Sequence, residues 1–244
     1  MEQWEAIERF RRAILGEYPR LGLDGEFCFS CERRLACFNK CCADVNIFLS
    51  PYDILRMKRR LGMASGEFLA RYTIMPIDAS QRYPIVQLKM REDESKRCPF
   101  VDDQVGCTIY DDRPWACRMY PLGLAASQPE GEQEFYFLLR EADCLGLNEP
   151  RRWTVRAWLT DQGIEPYNEM GAVFREVALH EYFERGGRLS AEKMEMFFMV
   201  CYDLDRFRRF VFESRFLRLF EAVSYTHLRA HETSLHLVCR LLLE

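Results

Sequence analysis

Histidine is scarce in this chain of 244 residues, with only four present. Three of them, His227, His231 and His236, fall in the last stretch, SYTHLRAHETSLHLVCRLLLE. Apart from that stretch the chain holds one histidine, His180, so it lacks the mixed Cys/His donor set of many zinc modules. His180 stands alone on a helical pattern and reads as a core or surface residue. Long apolar runs are also missing. None approaches the roughly 20 residues that a membrane span needs. The opening segment carries Glu2, Glu5 and Glu8 without an extended apolar region, which excludes a secretory signal. There is no excess of positive charge: the formal net charge is −4, which gives no general attraction to nucleic acid. No Gly-x-Gly-x-x-Gly motif for a nucleotide-type cofactor occurs, and there are no internal repeats or low-complexity linkers. These absences predict a cytoplasmic protein with no membrane and no nucleic acid among its partners.

What is abundant is cysteine, with eleven in the chain. Structural disulfides are disfavoured in the cytoplasm, where clustered thiols point instead to metal. Cys28, Cys31, Cys37, Cys41, Cys42, Cys98, Cys107, Cys117 and Cys144 all lie within residues 26–146. Cys201 is the sole cysteine of residues 150–223, a region rich in Phe, Arg and Glu at helical spacing. Composition thus predicts three parts. Residues 1–149 form a cysteine-cluster metal-binding domain with an N-terminal amphipathic helix, its Trp4, Ile7, Phe10 and Ile14 on one face. Residues 150–223 form a helical C-terminal part. Residues 224–244 form a non-native tail, because Ser224–Thr233 reads as the in-frame translation of a common sequencing-library transposase adapter. Within that tail Arg229 and Arg240 balance Glu232 and Glu244, so the net charge without it is still −4.

The expected fold class is α+β and mostly helical. It has a cysteine-rich metal-binding core, a small antiparallel sheet and a C-terminal helical part. Ser50-Pro-Tyr-Asp53 is a capping box with proline at the first helical position, predicting a helix to about Leu61 that Gly62 stops. Ser65 is expected to cap a short helix, and further helices are expected over about 151–162, 166–185, 190–202 and 203–220. Strands are expected at Ile85–Met90, Cys107–Tyr110 and Glu134–Leu139, with a turn around 127–131. Phe207, Phe210 and Phe216, interleaved with Arg206, Arg209 and Arg215, predict a packed helix with a solvated face. The sharper alternative is a partner-binding helix, which leaves an unknown protein partner for the C-terminal helices.

Cys37 and Cys41 are four apart, which on a helical turn brings their Cβ atoms within about 5–6 Å, close enough for one metal centre. Cys42 then lies about 100° further round. It serves either a second iron of a cluster or another site, because adjacent cysteines suit a simple tetrahedral zinc knuckle poorly. A loop must fold Cys31 back toward them, and Cys28 either joins as an extra ligand or packs. Cys98-Pro and Gly106-Cys107 bracket a hairpin-like loop that can bring two thiols together. In Asp111-Asp-Arg-Pro-Trp-Ala-Cys117-Arg, Asp112 and Pro114 predict a helix start near Cys117, where free N–H groups favour a thiolate or anionic cluster. Arg113 and Arg118 add positive charge there; Arg113 could equally fasten the loop by pairing with Asp111 or Asp44. Spacing alone gives no role to Cys144. Asp44, Asp53 and Asp102 read as caps and charge partners, and no catalytic residue can be named.

Together these motifs resemble the YkgJ-type cysteine-cluster family, also described as zinc- or iron-chelating domains. The pattern is Cys31, Cys37 and Cys41-Cys42, then Ile47-Phe-Leu49 and Asp53-Ile-Leu-Arg56. It continues with Cys98-Pro-Phe100, Gly106-Cys-Thr-Ile-Tyr110, Arg113–Pro121 and Cys144-Leu-Gly146. The resemblance covers about residues 26–148 and departs from the family in the five-residue gap between Cys31 and Cys37. It implies eight metal ligands: Cys31, Cys37, Cys41, Cys42, Cys98, Cys107, Cys117 and Cys144. Eight thiols without histidine favour an iron–sulfur cluster, of the 4Fe-4S type, in a redox or accessory role; zinc is the alternative. The family is also related to flagellin lysine-N-methylases, which leaves a methylase-like enzyme as a further alternative.

Overall fold

The computed structural model describes residues 19–76, 82–125 and 135–215. The expected N-terminal helix, the turn around 127–131, Phe216 and the adapter-like tail lie outside the described residues. The fold is α+β and mostly helical, with short antiparallel strands. The strands make four separate two-stranded pairs rather than one small sheet.

Two compact units, each discontinuous in sequence, divide the chain. The first unit holds the described residues up to Cys42 together with Ala116–Glu165. Strand β1 (Glu26–Cys28) here pairs antiparallel with a late strand, Arg152–Thr154, so residues far apart in sequence are zipped together. A second pair joins Leu122–Ala125 to Phe135–Leu138, and Leu21 bridges to Tyr136 on its edge. Gly123 is required in that pair, because a Cβ there would meet the Phe137 ring at 2.3 Å. Trp158, on the helix Val155–Asp161, is the packing centre. Phe27, Phe29 and Trp153 all meet its ring edge-to-face, at centroid distances of 6.0, 5.4 and 5.2 Å. The indole donors are satisfied: Trp158 Nε1 donates to the Met119 carbonyl and Trp153 Nε1 to the Phe29 carbonyl.

The second unit holds Ala43–Trp115 and the described residues from Pro166 onward. Its first helix, α1 (Pro51–Leu61), starts as the capping box predicts, with Ser50 and Asp53 exchanging hydrogen bonds, and ends on Gly62 in the left-handed region at φ 64°. Ser65 departs from expectation. The N-cap of α2 (Ser65–Tyr72) is Ala64, without a side-chain bond. The Ser65 hydroxyl is engaged elsewhere, donating to Asp203 (2.5 Å) and accepting from Asp205 N–H (2.9 Å). The Asp205 carboxylate takes Ser65 N–H in return, so the cap comes from a remote helix.

The aliphatic stretch 47–49 pairs with the strand Gln87–Leu88, through Leu49 N–H to the Val86 carbonyl and Leu88 N–H to the Ile47 carbonyl, both 2.8 Å. Gln87–Leu88 also pairs with Thr73–Ile74. Of the expected strand 107–110 only Cys107 is in a ladder, and a 3-10 turn begins at Tyr110. The helices Glu165–Ala178, Glu181–Glu184, Ala191–Cys201 and Leu204–Glu213 close the unit over Ile54, Met57, Phe68, Phe197 and Tyr202. His180 caps one of them through Nδ1, which fits its reading as an ordinary structural residue. Phe207 is buried while Arg206 and Arg209 are exposed, the packed face and solvated face that their spacing predicts. A cleft of about 530 Å³ lies over the last two helices, lined by Met196, Met199 and Phe210 among glutamates and arginines. No helix among the described residues is long and apolar enough to cross a membrane.

Asp53 carries more than the start of α1. It is 1% exposed, and its other oxygen accepts the Trp115 N–H at 2.7 Å, where the short helix α3 (Trp115–Met119) begins. Asp53→Ala removes the capping box and orphans a backbone donor. It should lower the unfolding free energy by about 2–3 kcal/mol. Urea denaturation checks this, and a loss below about 0.5 kcal/mol would contradict the bridging role.

Candidate metal centre

All ten described cysteines are free thiols. In the first unit they converge from separate stretches of the chain. The segment after β1 passes from Cys31 through tight turns into a 3-10 turn, Lys40–Cys42. This path differs from the expected α-helical turn. Asn39 takes φ 64°, which an α-helix does not allow and which asparagine tolerates better than most residues. The chain bends there, with Lys40 N–H bonded to the Cys37 carbonyl and Cys42 N–H to the Asn39 carbonyl. Neighbouring Cys41 and Cys42 therefore meet sulfur to sulfur, the Cys42 thiol hydrogen-bonding to Cys41.

Cys144 arrives from more than a hundred positions away. Its placement follows from Gly146, two residues on. Ser30 N–H bonds to the Gly146 carbonyl at 3.0 Å, and a Cβ on Gly146 would meet the Ser30 carbonyl oxygen at 2.7 Å and the Phe29 ring at 3.0 Å. Only glycine admits this approach, and it draws the Cys144 turn alongside Ser30 and Cys31. Arg34 pairs with both Glu32 and Glu149, fastening the two segments again.

The electrostatics record the crowding. Burial of its sulfur pushes the Cys31 thiol up to about 11, with the charges of Cys41, Cys37 and Cys144 adding to the rise. Cys41 moves the other way, lowered to about 7, because the Cys42 hydrogen bond stabilises its thiolate more than burial disfavours it. Cys31, Cys37, Cys41, Cys42 and Cys144 thus share one neighbourhood. Cys117 is exposed, on α3. Cys28 ends β1 opposite Arg152.

Two more thiols face each other in the second unit. The predicted hairpin is present: Val101–Asp102 pairs with Gly106–Cys107, Gly106 has φ 85°, and Asp102 accepts the amides of Gln104 and Val105. Burial raises the pKa of both Cys98 and Cys107, and the nearby Cys107 raises Cys98 further. The charge of Arg113 pulls Cys107 back down, as expected of a cation near a thiol site. Arg113 itself is buried, donating to the Tyr110 carbonyl with its guanidinium 3.6 Å from the Tyr110 ring centroid. Asp44 pairs with Lys96. Arg118 is buried in the first unit, donating to the Gln162 carbonyl at 2.6 Å.

Among the described residues no group of three or more Cys, His, Asp or Glu side chains is placed to hold a metal ion. Such sites generally complete themselves only as metal binds. The donor set fits a thiophilic metal nonetheless: unbridged sulfurs, with a buried tyrosine hydroxyl, Tyr120 Oη, beside Cys144 and without a hydrogen bond of regular geometry. Sequence reasoning quoted Tyr120 within the Arg113–Pro121 motif but gave it no role.

These features define a thiol-rich centre for a soft metal. The sequence model of one family, CxxCxxCC, described as a "Putative zinc- or iron-chelating domain", matches residues 30–145. The match falls on the cysteine-bearing segment that carries the motifs, and it is to a cysteine-cluster family of the kind they resemble. No curated protein and no solved structure matches the chain.

Two measurements test the geometry. In reduced, metal-free protein at pH 7, about half of Cys41 but only about one Cys31 in 10⁴ is ionised. Allowing for the weaker nucleophilicity of a low-pKa thiolate, Cys41 should exchange with an aromatic disulfide about 100-fold faster than Cys31. The gap should close at about pH 9 and invert above it, because the Cys31 thiolate is intrinsically the stronger nucleophile; equal rates at pH 7, read by peptide mass spectrometry, would contradict the assignment. Gly146→Ala should destabilise the protein by about 1–3 kcal/mol through forced separation of the two segments. An unchanged urea midpoint would show that they are not held in this contact.

Proposed function

We propose that this is a cytoplasmic iron–sulfur protein with a redox or accessory role. Cys31, Cys37, Cys41, Cys42, Cys98, Cys107, Cys117 and Cys144 are its metal ligands, and Cys31, Cys37, Cys41 and Cys144 of the first unit are the four that hold a 4Fe-4S cluster. The observation that carries this reading is the gathering of Cys37, Cys41 and Cys144 around Cys31, closely enough that their charges raise its thiol. Four converging thiolates are the ligand set of such a cluster. The free state of every described cysteine supports a reducing compartment. When bound, the cluster supplies one-electron chemistry. The protein residues supply thiolates and hydrogen bonds, and in the second unit Arg113 places positive charge beside the Cys107 thiol.

The same four sulfurs also equal one tetrahedral zinc site with four cysteine ligands, and that specific coincidence makes structural zinc the second reading. The experiment that separates them is metal and acid-labile sulfide analysis of anaerobically purified protein. Brown protein with iron and sulfide in equal amounts is the expected result, and Cys31→Ser, Cys37→Ser, Cys41→Ser or Cys144→Ser should each remove most of the cluster. Colourless protein carrying zinc alone would end the iron–sulfur reading.

A further inference from the structure

The aromatic layer of the first unit contains three polar ring atoms, and two of them have carbonyl acceptors: Trp153 Nε1 on Phe29 and Trp158 Nε1 on Met119. The third, Tyr120 Oη, is buried and makes no hydrogen bond of regular geometry. A buried donor left unmade is costly, and native interiors rarely keep one without a reason. The ring cannot turn its hydroxyl toward water. Phe29 holds it edge-to-face at 5.8 Å and 76°, and Phe29 is itself braced on Trp158. Tyr120 N–H bonds to the Ala116 carbonyl, which fixes its backbone at the end of α3, three residues beyond Cys117.

What lies within reach of this hydroxyl is sulfur. Cys144 is next to it and Cys41 is near. Burial first, then a hydrogen bond to the Cys144 sulfur and the charges of Cys144 and Cys41, raise the phenol above the usual tyrosine range. A neutral thiol is a weak acceptor, so the contact with Cys144 is a poor hydrogen bond. A metal-bound thiolate carries negative charge and is a strong one.

We propose that Tyr120 is a positioning residue for the metal centre, its phenol O–H donating a hydrogen bond to the Cys144 thiolate once that sulfur is metal-bound. This rests on the metal-binding reading above, whichever metal is native. The bond orients Cys144 and withdraws electron density from that sulfur. No proton is transferred. Partners of this kind around a metal typically change its affinity by about 10–100-fold when removed.

The test uses the full chain loaded anaerobically with Co²⁺, which reports thiolate ligation by its sulfur-to-metal charge-transfer absorption. Tyr120→Phe keeps the ring and deletes only the donor. The metal-free variant should unfold at the same urea concentration as the parent, or a higher one, because an unsatisfied hydroxyl has gone. Its Co²⁺ affinity, measured by chelator competition, should fall about 10-fold. Its charge-transfer band should move to longer wavelength, since a thiolate without its hydrogen bond is easier to ionise. In the parent, that band should shift on exchange into D₂O. An unchanged affinity and band in Tyr120→Phe would overturn the proposal. If the variant does not fold, a parent band that does not shift in D₂O overturns it instead. A parent chain that takes up no Co²⁺ at all would sink the metal-binding reading itself, and this inference with it.

Discussion

The repulsion that neighbouring sulfurs exert on a Cys31 thiolate is the constraint on which the rest of the first unit depends. Burial raises the Cys31 thiol, and the charges of Cys41, Cys37 and Cys144 oppose its ionisation further. Such a group has few stable conditions. It can stay protonated, it can oxidise to disulfides, or it can surround a cation. The described cysteines are unbridged. A metal ion replaces the repulsion with attraction and converts the local electrostatic penalty into binding free energy, which is then also folding free energy.

The surrounding architecture holds those sulfurs in place. β1 and its late partner strand tie the approach to Cys31 to the region that follows Cys144. Trp158 gathers three aromatic rings behind them. Gly146 permits the backbone contact that sets Cys144 beside the first cysteine segment. These are apolar and steric devices, and none of them uses a thiol. The framework can therefore position the ligands before metal arrives, leaving the last closure of the site to the metal.

Local signals were readable from sequence wherever a local interaction decides the structure. The Ser50–Asp53 capping box, the Gly62 stop, the hairpin around Gly106 and the two-faced helix bearing Phe207 are all settled within a few residues, and each is present. Signals failed where a distant partner decides. Ser65 resembles a cap, but its hydroxyl is held by Asp203 and Asp205 from a helix that follows much later. Cys37 and Cys41 have helical spacing, yet Asn39 turns left-handed between them and a 3-10 path results. The place of Cys144 depends on Gly146 meeting Ser30, a contact with no sequence signature. Tyr120 was visible in its motif, but its importance comes from the burial of its hydroxyl beside the Cys144 sulfur, which only coordinates reveal.

The central claim is that sulfur alone surrounds the metal. X-ray absorption at the metal edge of anaerobically isolated protein reads the first coordination shell directly. The account predicts a shell of sulfur only, at about 2.3 Å if the metal is zinc. A shell of nitrogen or oxygen at about 2.0–2.2 Å would contradict it.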